Sequence, residues 1–294
     1  MSSKTKNMDG IHIASFEETI KSVVSDGSSL TRFGDGEFSL MLNGEFLLQR
    51  ERSLHFQRAD VKLKNRLREI LTRESYDNLN IKVAIPNGFI VDNRTLLTET
   101  AARFWNDFLQ ENGYKIYNIL DKNYIYSDAS ITRFYMDYCD KSNRTISNKV
   151  KNLRLIWENT DVLFVEGKGS KLGLNNNLFD NVKSINRILC PNSDAFDKYE
   201  EIFEATKKFG RDKLILIALG PTATVLAYDL AVCGFRAIDL GHIDIEYEWF
   251  KMGADNKISI SGKVAMEAVD PLPNDIFDLD DTDDYQLEVL QTID

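Results

Sequence analysis

The sequence predicts a single α/β domain with a Rossmann-like, mostly parallel sheet flanked by helices. Short β-rich apolar runs alternate with longer amphipathic stretches, and strands separated by helices imply right-handed crossovers between parallel neighbours. No internal repeat or low-complexity block interrupts this alternation before the acidic C-terminal end. The chain has 294 residues, of which 43% are hydrophobic, and this is enough to bury one large core.

The first elements are predicted from their capping residues and apolar runs. Ser15 with Glu18 three residues later is a capping box, which predicts a helix at this point. Residues 29–33 predict a short strand that ends in a glycine-rich turn. Asp60 precedes a helical pattern of apolar residues, and residues 81–85 form an apolar run that ends at a proline.

The rest of the chain continues the same alternation. Helices are predicted over residues 96–109, 149–157, 195–209, 222–233 and 243–252, and strands over residues 162–165, 185–190, 214–219 and 237–240. Parallel sheets bind ligands at the carboxyl ends of their strands. The polar loops after these strands are therefore the candidate functional positions.

The net charge is concentrated at the C-terminal end. Lys and Arg total 36 and Asp and Glu total 46, which gives a formal net charge of −10. Ten acids and no Lys or Arg follow Lys263, so the preceding residues are formally neutral. This balance disfavours a protein that binds a nucleic acid duplex. The predicted organisation is a domain over residues 1–270 and an acidic tail over residues 271–294, which is either flexible or docks a partner.

The remaining composition predicts a cytoplasmic protein. Cys139, Cys190 and Cys233 are far apart, which does not fit a zinc knuckle or a disulfide framework and favours buried free thiols. The N-terminal residues lack the apolar region of a secretory signal, and no apolar run approaches the length of a membrane span.

The first candidate site is Arg32-Phe33-Gly34-Asp35-Gly36-Glu37, at the end of a predicted strand. In an extended chain Asp35 and Glu37 would point to the same side, and Gly34 would let a ligand approach closely. Two carboxylates suit Mg²⁺ or Mn²⁺ bridging to phosphates, and Arg32 would add positive charge for the anionic ligand. A glycine-rich turn with solvated acids has the same composition, so both interpretations stand.

The second candidate site, residues 241–249, also follows a predicted strand. His242 and Glu246 are four residues apart and would share a helix face, which is compatible with a metal ligand beside a general base. Alternatively, Asp244 and Glu246 are acids favoured by the dipole of a helix's first turn, and His242 is a loop residue.

Three further segments have a weaker signal. Thr222 opens a helix after a tight turn, where free N–H groups could take a phosphate, although the turn is also simply a good helix start. Lys168 and Lys171 lie in a glycine-rich loop that could close on a diphosphate, and a mobile surface loop would look the same. Arg133 lies among aromatic residues that are more often core than a stacking platform.

Several motifs together resemble one family. They are RFGDGE from Arg32, TRFY from Thr132, VEGKGSKLG from Val165, NLFDN from Asn177, RILCP from Arg187, AFDKYEEI from Ala195, LGPTATVLAYDLA from Leu219 and GHIDIEYEWF from Gly241. In this order and spacing the chain resembles the GT-D fold glycosyltransferases, long catalogued as a bacterial domain of unknown function. The resemblance implies a domain of GT-D type that uses a DxE motif, here Asp35 and Glu37, to hold a divalent metal on a UDP-sugar.

The resemblance also implies a biological role and a division of labour within the site. Family members act in glycosylating serine-rich repeat adhesins of the bacterial surface, and they typically transfer glucose onto a growing glycan. The expected roles are metal binding by Asp35, Glu37 and His242, general-base catalysis of an inverting transfer by Glu246 or Asp244, and contacts to the nucleotide sugar by Arg32, Gly34, Arg133, Lys171 and Thr222.

This chain departs from the family pattern in two of the motifs. Where relatives usually have SRLGVGNDLF, this chain has SKLGLNNNLF, so Lys171 replaces an arginine and Asn177 an aspartate. Lys lacks the bidentate fork of Arg, and Asn carries no negative charge, which bears on donor identity. The usual TRPY is TRFY here, with Phe134 in place of proline.

Two other functions are alternatives to glycosyl transfer. In a metal-dependent phosphohydrolase the same acids would activate water, whereas a non-catalytic subunit of a glycosylation complex would bind the nucleotide sugar without turnover. The expected partners are a UDP-sugar donor, UDP-glucose first, and a glycosylated acceptor protein or glycan. The acidic tail would serve a homo-oligomer or a glycosylation complex, and neither nucleic acid nor a membrane span is expected.

Overall fold

The computed structural model describes residues 8–47, 57–73, 76, 78–264 and 283–294. Its strands are β1 (His12–Ile13), β2 (Ser29–Arg32), β3 (Ile81–Ile85), β4 (Ile125–Asp128), β5 (Asp161–Gly167), β6 (Ser184–Cys190), β7 (Leu214–Ala218), β8 (Arg236–Asp239) and β9 (Val289–Thr292). They form one nine-stranded sheet in the order β1-β4-β3-β2-β8-β7-β5-β6-β9, and all neighbouring strands are parallel. The predicted α/β fold with a parallel sheet is therefore confirmed.

The helices lie between these strands in the chain. They are α1 (Phe16–Ser25), α2 (Asp35–Leu47), α3 (Val61–Leu71), α4 (Glu99–Ile119), α5 (Asn143–Arg154), α6 (Tyr199–Phe209), α7 (Pro221–Val232), α8 (Ile243–Met252) and α9 (Asp283–Glu288). Short 3-10 helices cover Asn87–Phe89, Asp92–Leu96, Ala129–Thr132 and Ala195–Lys198. None of the helices in the described ranges is long and apolar enough to cross a membrane.

The capping residues act as the sequence predicts. Ser15 and Glu18 form a reciprocal capping box at the start of α1, and the Asp60 side chain accepts a hydrogen bond from the Leu63 N–H at 2.8 Å. The helix predicted over residues 96–109 instead begins after Thr98, whose hydroxyl accepts from the Ala101 N–H, and continues to Ile119. Its buried positions recur at helical spacing over the full length, so the apolar pattern outlasts the predicted end.

The sheet is covered on both faces because its central strands are buried on both sides. Val162 and Phe164 of β5 pack in one hydrophobic cluster with α1, α5 and α8, whereas Leu163 and Val165 pack in another with α6 and α7. Successive side chains of a strand point to opposite faces, so one apolar run supplies both clusters. This explains why β5 and β7 are continuous apolar runs in the sequence.

The strand order reverses at the centre of the sheet, between β2 and β8. From β2 the chain moves outward to β3 and then β4, whereas β8 is reached from β7 on the other side. Open parallel sheets bind ligands in the crevice outside the carboxyl ends of such strands. Arg32 is the last residue of β2 and Asp239 the last of β8, so both lie at this crevice.

The end of the acidic segment belongs to the sheet. Strand β9 pairs with β6 in parallel, and Ile293 and Tyr285 are buried. The expectation that residues 271–294 form a tail apart from the domain is therefore wrong for residues 283–294, because this part packs on the sheet's edge. Residues 271–282 of that prediction lie outside the described residues.

The cysteines only partly follow the expectation of buried free thiols. Cys190 is buried at the end of β6, and burial raises the pKa of its thiol. Cys139 and Cys233 are instead exposed. All three thiols are free, as expected.

Candidate active site

A cavity of about 700 Å³ opens at the carboxyl ends of β2, β3, β4 and β8. This volume lies in the usual range of small-molecule sites. Its wall brings together residues from four separate parts of the sequence. Six of the predicted site residues line it: Arg32, Gly34, Asp35, Glu37, Arg133 and His242.

The two carboxylates of the DxE motif lie in the first turn of α2, not in an extended chain. Gly34 precedes the helix, and its N–H donates a hydrogen bond to Glu37 Oε2 at 2.7 Å. Residues two apart on a helix do not face each other, so the expected reason for the convergence of Asp35 and Glu37 is wrong. Both nevertheless line the cavity, because the helix begins at its edge.

A third carboxylate, which the sequence analysis missed, lies beside this pair. Asp239 is buried and lines the same cavity. Loss of hydration, together with the negative charges of Asp239 and Asp35, raises the pKa of Glu37 to about 7. Burial also raises the pKa of Asp239, an effect that Arg32 opposes. The crowding of acids creates a negative position that a cation would neutralise.

Arg32 is held in place by groups on both sides. Its Nε donates to the Ala129 carbonyl at 2.9 Å, and its Nη1 lies 3.3 Å from Asp239 Oδ1. The guanidinium passes directly over Gly241, where a Cβ would lie 2.2 Å from Nη1. Gly241 therefore provides the space in which Arg32 reaches the cavity.

Arg133 lies in a loop that Glu246 holds from below. Glu246 has no exposed surface, and its Oε2 accepts hydrogen bonds from the N–H groups of Tyr135 and Met136, both at 2.9 Å. Burial raises the pKa of Glu246 to about 7, and the positive charge of Arg133 opposes this increase. Glu246 does not line the cavity. Its carboxylate is enclosed beneath the loop in this arrangement, so its assignment as the general base stays a prediction.

Asp244 is similarly engaged in a buried network. One oxygen accepts from the Gly173 N–H and the Asn176 amide, both at 2.9 Å, and the other lies 2.6 Å from Lys263 Nζ. Glu248 accepts from the same lysine at 2.9 Å. Asp244 is 2% exposed and lines a smaller neighbouring cavity rather than the main one, so its assignment as a general base stays a prediction.

A smaller cavity of about 100 Å³ lies beside the main one, over the ends of β5, β6 and β7. Gly220, Gly241 and His242 line both cavities, so the two share one rim. Thr222 and Lys171 line neither. Thr222 is buried with its hydroxyl 3.4 Å from Gln57 Oε1, and Lys171 is 5% exposed. Neither side chain reaches the cavities in this arrangement, so their expected direct contacts to the nucleotide sugar stay predictions.

The predicted metal ligands Asp35, Glu37 and His242 all line the main cavity, but they do not form a three-residue group. In the part of the chain that the structure describes, no group of three His, Cys, Asp or Glu side chains is arranged to hold a metal ion. His242 lines the cavity before α8, but it does not complete such a group with Asp35 and Glu37. Two carboxylates fit Mg²⁺ or Mn²⁺, which are often held by one or two carboxylates together with water and substrate phosphates.

The far side of the main cavity is lined by residues that the sequence analysis did not select. Phe104 and Trp105 of α4 line it, and segments 136–138 and 255–257 also contribute. An isolated Phe-Trp pair in an amphipathic helix is indistinguishable from core in the sequence. No local signal would have identified these residues as part of a site.

Comparisons with known proteins identify the family of this chain. The family described as glycosyltransferase GT-D fold matches residues 30–268. The chain belongs to the GT-D fold glycosyltransferase family. Its resemblance to this family, expected from the motifs, is therefore confirmed.

Two curated relatives of this GT-D chain are streptococcal proteins. Glycosyltransferase GlyD of Streptococcus pneumoniae is 38% identical over 262 residues, which cover 89% of this chain and 30% of the relative. The probable glycosyl transferase Gly of Streptococcus gordonii is 37% identical over 257 residues, which cover 87% of this chain and 36% of the relative. The chain thus spans about a third of the length of these curated relatives.

Solved structures match the GT-D chain over almost its full length. A domain of unknown function 1792, described as having a distinct glycosyltransferase fold, is 33% identical with a TM-score of 0.85 and covers 99% of this chain and 98% of its own. A glycosyltransferase of the same domain type from Streptococcus sanguinis is 35% identical with a TM-score of 0.82, covering 97% of this chain and 100% of its own. Both solved structures are therefore similar to this chain in sequence as well as in fold.

Proposed function

We propose that this GT-D domain is a metal-dependent glycosyltransferase that transfers a sugar from a UDP-sugar to a glycan acceptor. The observation that carries the proposal is the convergence of Asp35, Glu37, Arg32 and Arg133 on one cavity at the carboxyl ends of the central strands. In a member of the GT-D family, acids beside cations suit a divalent metal and a diphosphate.

The acids and the arginines have distinct roles in the proposed reaction. Asp35 and Glu37 would hold Mn²⁺ or Mg²⁺, which when bound offsets charge on the departing UDP as a Lewis acid. Arg133 adds positive charge to the cavity wall. Arg32 does the same, and its pairing with Asp239 fixes the direction of its guanidinium. The loop that carries Arg133 keeps its shape because Glu246 binds two of its backbone N–H groups.

The finer substrate assignment rests on the family resemblance. We propose glucose as the transferred sugar and a glycan on a serine-rich repeat adhesin of the bacterial surface as the acceptor.

The raised pKa of Glu37, about 7, means that a proton competes with the metal near neutral pH. A divalent cation would displace that proton, which is consistent with a metal site at this acid.

Substitution of the DxE acids tests the proposal. We expect Asp35→Asn and Glu37→Gln each to reduce Mn²⁺-dependent release of UDP from UDP-glucose, in the presence of a glycosylated acceptor peptide, by about 100-fold or more. Glu17→Gln is the matched control, because Glu17 is an exposed acid in the first turn of α1 and does not line the cavity. Its activity should equal that of the unaltered protein.

Three outcomes would contradict the proposed metal-dependent transferase. Unchanged turnover in both DxE variants would show that Asp35 and Glu37 do not take part in the reaction. Release of free phosphate instead of UDP would support a phosphohydrolase. Binding of UDP-glucose and Mn²⁺ without any turnover would support a nucleotide-sugar-binding subunit.

A further inference from the structure

The main cavity has a second wall that the proposed donor chemistry does not use. Phe104 and Trp105 of α4 form it, with their ring centroids 5.1 Å apart in an edge-to-face arrangement. Phe104 is 45% exposed, so its ring is accessible from the cavity. Trp105 is fixed from behind by Gly88, where a Cβ would lie 2.5 Å from Trp105 Cδ1. The wall is therefore an exposed but positioned aromatic surface.

Polar groups with fixed orientations lie next to this wall. Asn87 lines the cavity, and its Nδ2 donates to Tyr138 Oη at 2.9 Å and to Asp128 Oδ2 at 3.1 Å. Thr98 and Thr100, at the start of α4, line the same cavity. The Asn87 amide is already paired within the protein, so the Thr98 and Thr100 hydroxyls are the groups beside the aromatic face that suit a sugar ring, whose hydroxyls form hydrogen bonds while its C–H face is apolar.

The rest of this region carries charges of both signs. Asp137 and Asp255 supply two acids, and Arg133, Lys141 and Lys257 supply three bases. Lys257 Nζ lies 3.5 Å from Asp137 Oδ1. This mixture contrasts with the cluster of Asp35, Glu37 and Asp239 at the strand ends.

The position of the wall separates it from the smaller cavity. Gly220, Gly241 and His242 connect the main cavity to the smaller one over β5, β6 and β7, on the far side of the sheet's centre from β3 and β4. The α4 wall lies in the half over β3 and β4, where Pro86 and Ala129 follow those strands. Asp35 and Glu37, where the proposed donor is held, follow β2 and so lie between the two regions.

We propose that the α4 wall is the acceptor subsite, which binds a neutral saccharide by stacking its apolar face on Phe104 and Trp105. This inference rests on the proposed transferase function, since it names the acceptor region of the same cavity. Stacking on an exposed ring does not depend on the linkage of the saccharide, so the wall would bind the apolar face of one sugar unit. The neighbouring Thr98 and Thr100 hydroxyls would select the pattern of its hydroxyl groups.

Binding measurements on the full chain test the subsite without requiring turnover. The saccharide probes are the methyl glycosides of glucose, galactose and N-acetylglucosamine, observed by saturation-transfer NMR, and UDP with Mn²⁺ is the donor-side probe. We expect Phe104→Ala to weaken binding of at least one saccharide by about five- to ten-fold, since an aromatic contact contributes on the order of a tenfold change in affinity. UDP affinity should change by less than about two-fold.

Leu96→Ala is the matched control for loss of exposed apolar surface. Leu96 is 58% exposed and lies just before α4, but it does not line the cavity. It should leave saccharide binding unchanged. Trp105→Phe, which keeps an aromatic face, should retain more saccharide affinity than Trp105→Ala. Thermal unfolding of each variant verifies that it is folded.

Several outcomes would overturn the acceptor subsite. Weaker UDP binding in Phe104→Ala, with saccharide binding intact, would assign the wall to the base of the donor. Equal effects of Phe104→Ala and Leu96→Ala, or no saccharide binding by the unaltered protein, would leave the wall as apolar surface. Unchanged turnover in the DxE variants would instead contradict the transferase proposal. The saccharide-binding measurements could still be interpreted, because they do not depend on turnover.

Discussion

Gly241 shows how a single missing side chain shapes the site. Its backbone has φ = +50°, and a Cβ would lie 2.2 Å from Arg32 Nη1. An alanine here would be strained by about 1–2 kcal/mol and would also push the guanidinium off Asp239. We expect Gly241→Ala to reduce kcat/KM for the UDP-sugar by about ten- to a hundred-fold, because a charge-assisted interaction at the diphosphate is displaced.

Gly253 offers the control for backbone strain alone. Its φ is +62°, and nothing lies within 4 Å of the position of an added Cβ. Steady-state kinetics and urea unfolding of the two alanine variants should show similar losses of stability but a loss of activity only in Gly241→Ala. Equal activities would mean that the position of Arg32 does not affect catalysis.

At the scale of single residues, contiguous motifs were predicted better than contacts between distant residues. The RFGDGE motif is contiguous, and its two acids both line the cavity, although they were expected in an extended chain and lie within a helix. The enclosure of Glu246 was not predicted because its partners, the Tyr135 and Met136 N–H groups, are more than 100 residues away in the chain. Asp239 escaped notice because an acid at the end of an apolar strand has no local signature.

At the scale of elements, the C-terminal segment is attached through one buried arginine. Arg187 of β6 lies between the rings of Phe164 and Tyr285, with its Cζ 4.8 Å and 4.4 Å from their centroids. It pairs with Glu166 of β5, and its Nε lies 2.6 Å from Glu288 Oε2 at the end of α9. Burial raises the pKa of Glu166, and the charge of Arg187 opposes this.

Removing this arginine should destabilise the whole domain. Arg187→Leu would leave Glu166 buried without its cation, so we expect the free energy of unfolding to fall by about 3–5 kcal/mol at pH 7. Urea denaturation followed by circular dichroism measures this loss. Hydrogen exchange should also become faster in β9, because both Tyr285 and Glu288 lose their partner.

The exposed pair Lys183 with Asp161 is the control for this prediction. Its side chains are 61% and 34% exposed, so Lys183→Ala should cost less than about 1 kcal/mol. A similarly small effect of Arg187→Leu would mean that Glu166 is stabilised by its other hydrogen bond, to the Leu172 N–H. Attachment of the C-terminal segment through Arg187 would then be contradicted.

Element prediction failed at β1, β4 and β9. Strand β1 has two residues, which is too few for an alternating pattern, whereas β4 and β9 have four each, the same length as β2 and β8, which were predicted. The longer elements were recovered because their apolar pattern extends over several turns or buries both faces. For β9 the surrounding acids also suggested disorder, whereas Glu288 and Asp294 in fact pair with Arg187 and Lys168.

At the scale of the whole molecule, two buried carboxyl groups link stability to pH. Burial raises the pKa of Glu246 to about 7 and that of Asp128 to about 6. Both would titrate near about 4 in the unfolded chain. The folded protein therefore holds these protons more tightly, and their stabilising contribution is complete below about pH 4 and is lost as the pH rises through the folded pKa values.

We expect the free energy of unfolding to decrease between about pH 5 and pH 7, by about 1 kcal/mol per pH unit for each proton retained. Urea denaturation at stepped pH measures the slope. Glu246→Gln keeps an oxygen for the Tyr135 and Met136 N–H groups and removes the titration, so its slope should be shallower. The hydrogen bond from the Thr145 hydroxyl lowers the pKa of Asp140 to about 2, so this group changes the free energy of unfolding only below about pH 4.

An unchanged slope in Glu246→Gln would contradict the role of Glu246 in this dependence. Glu17→Gln serves again as the control, because Glu17 is exposed and should not alter the slope. A decrease that persists in Glu246→Gln would show that the other buried acid, Asp128, contributes.

The sequence by itself determined the parallel α/β fold, the family and the DxE motif, because apolar periodicity, caps and contiguous motifs are local properties of the chain. The tertiary structure alone decided which acids face the cavity, that Phe104 and Trp105 line it, and that residues 289–292 complete the sheet. These features depend on which face of an element is buried and on contacts between residues far apart in the chain. The side chains of Glu246, Arg187 and Asp239 acquire their roles only through such contacts.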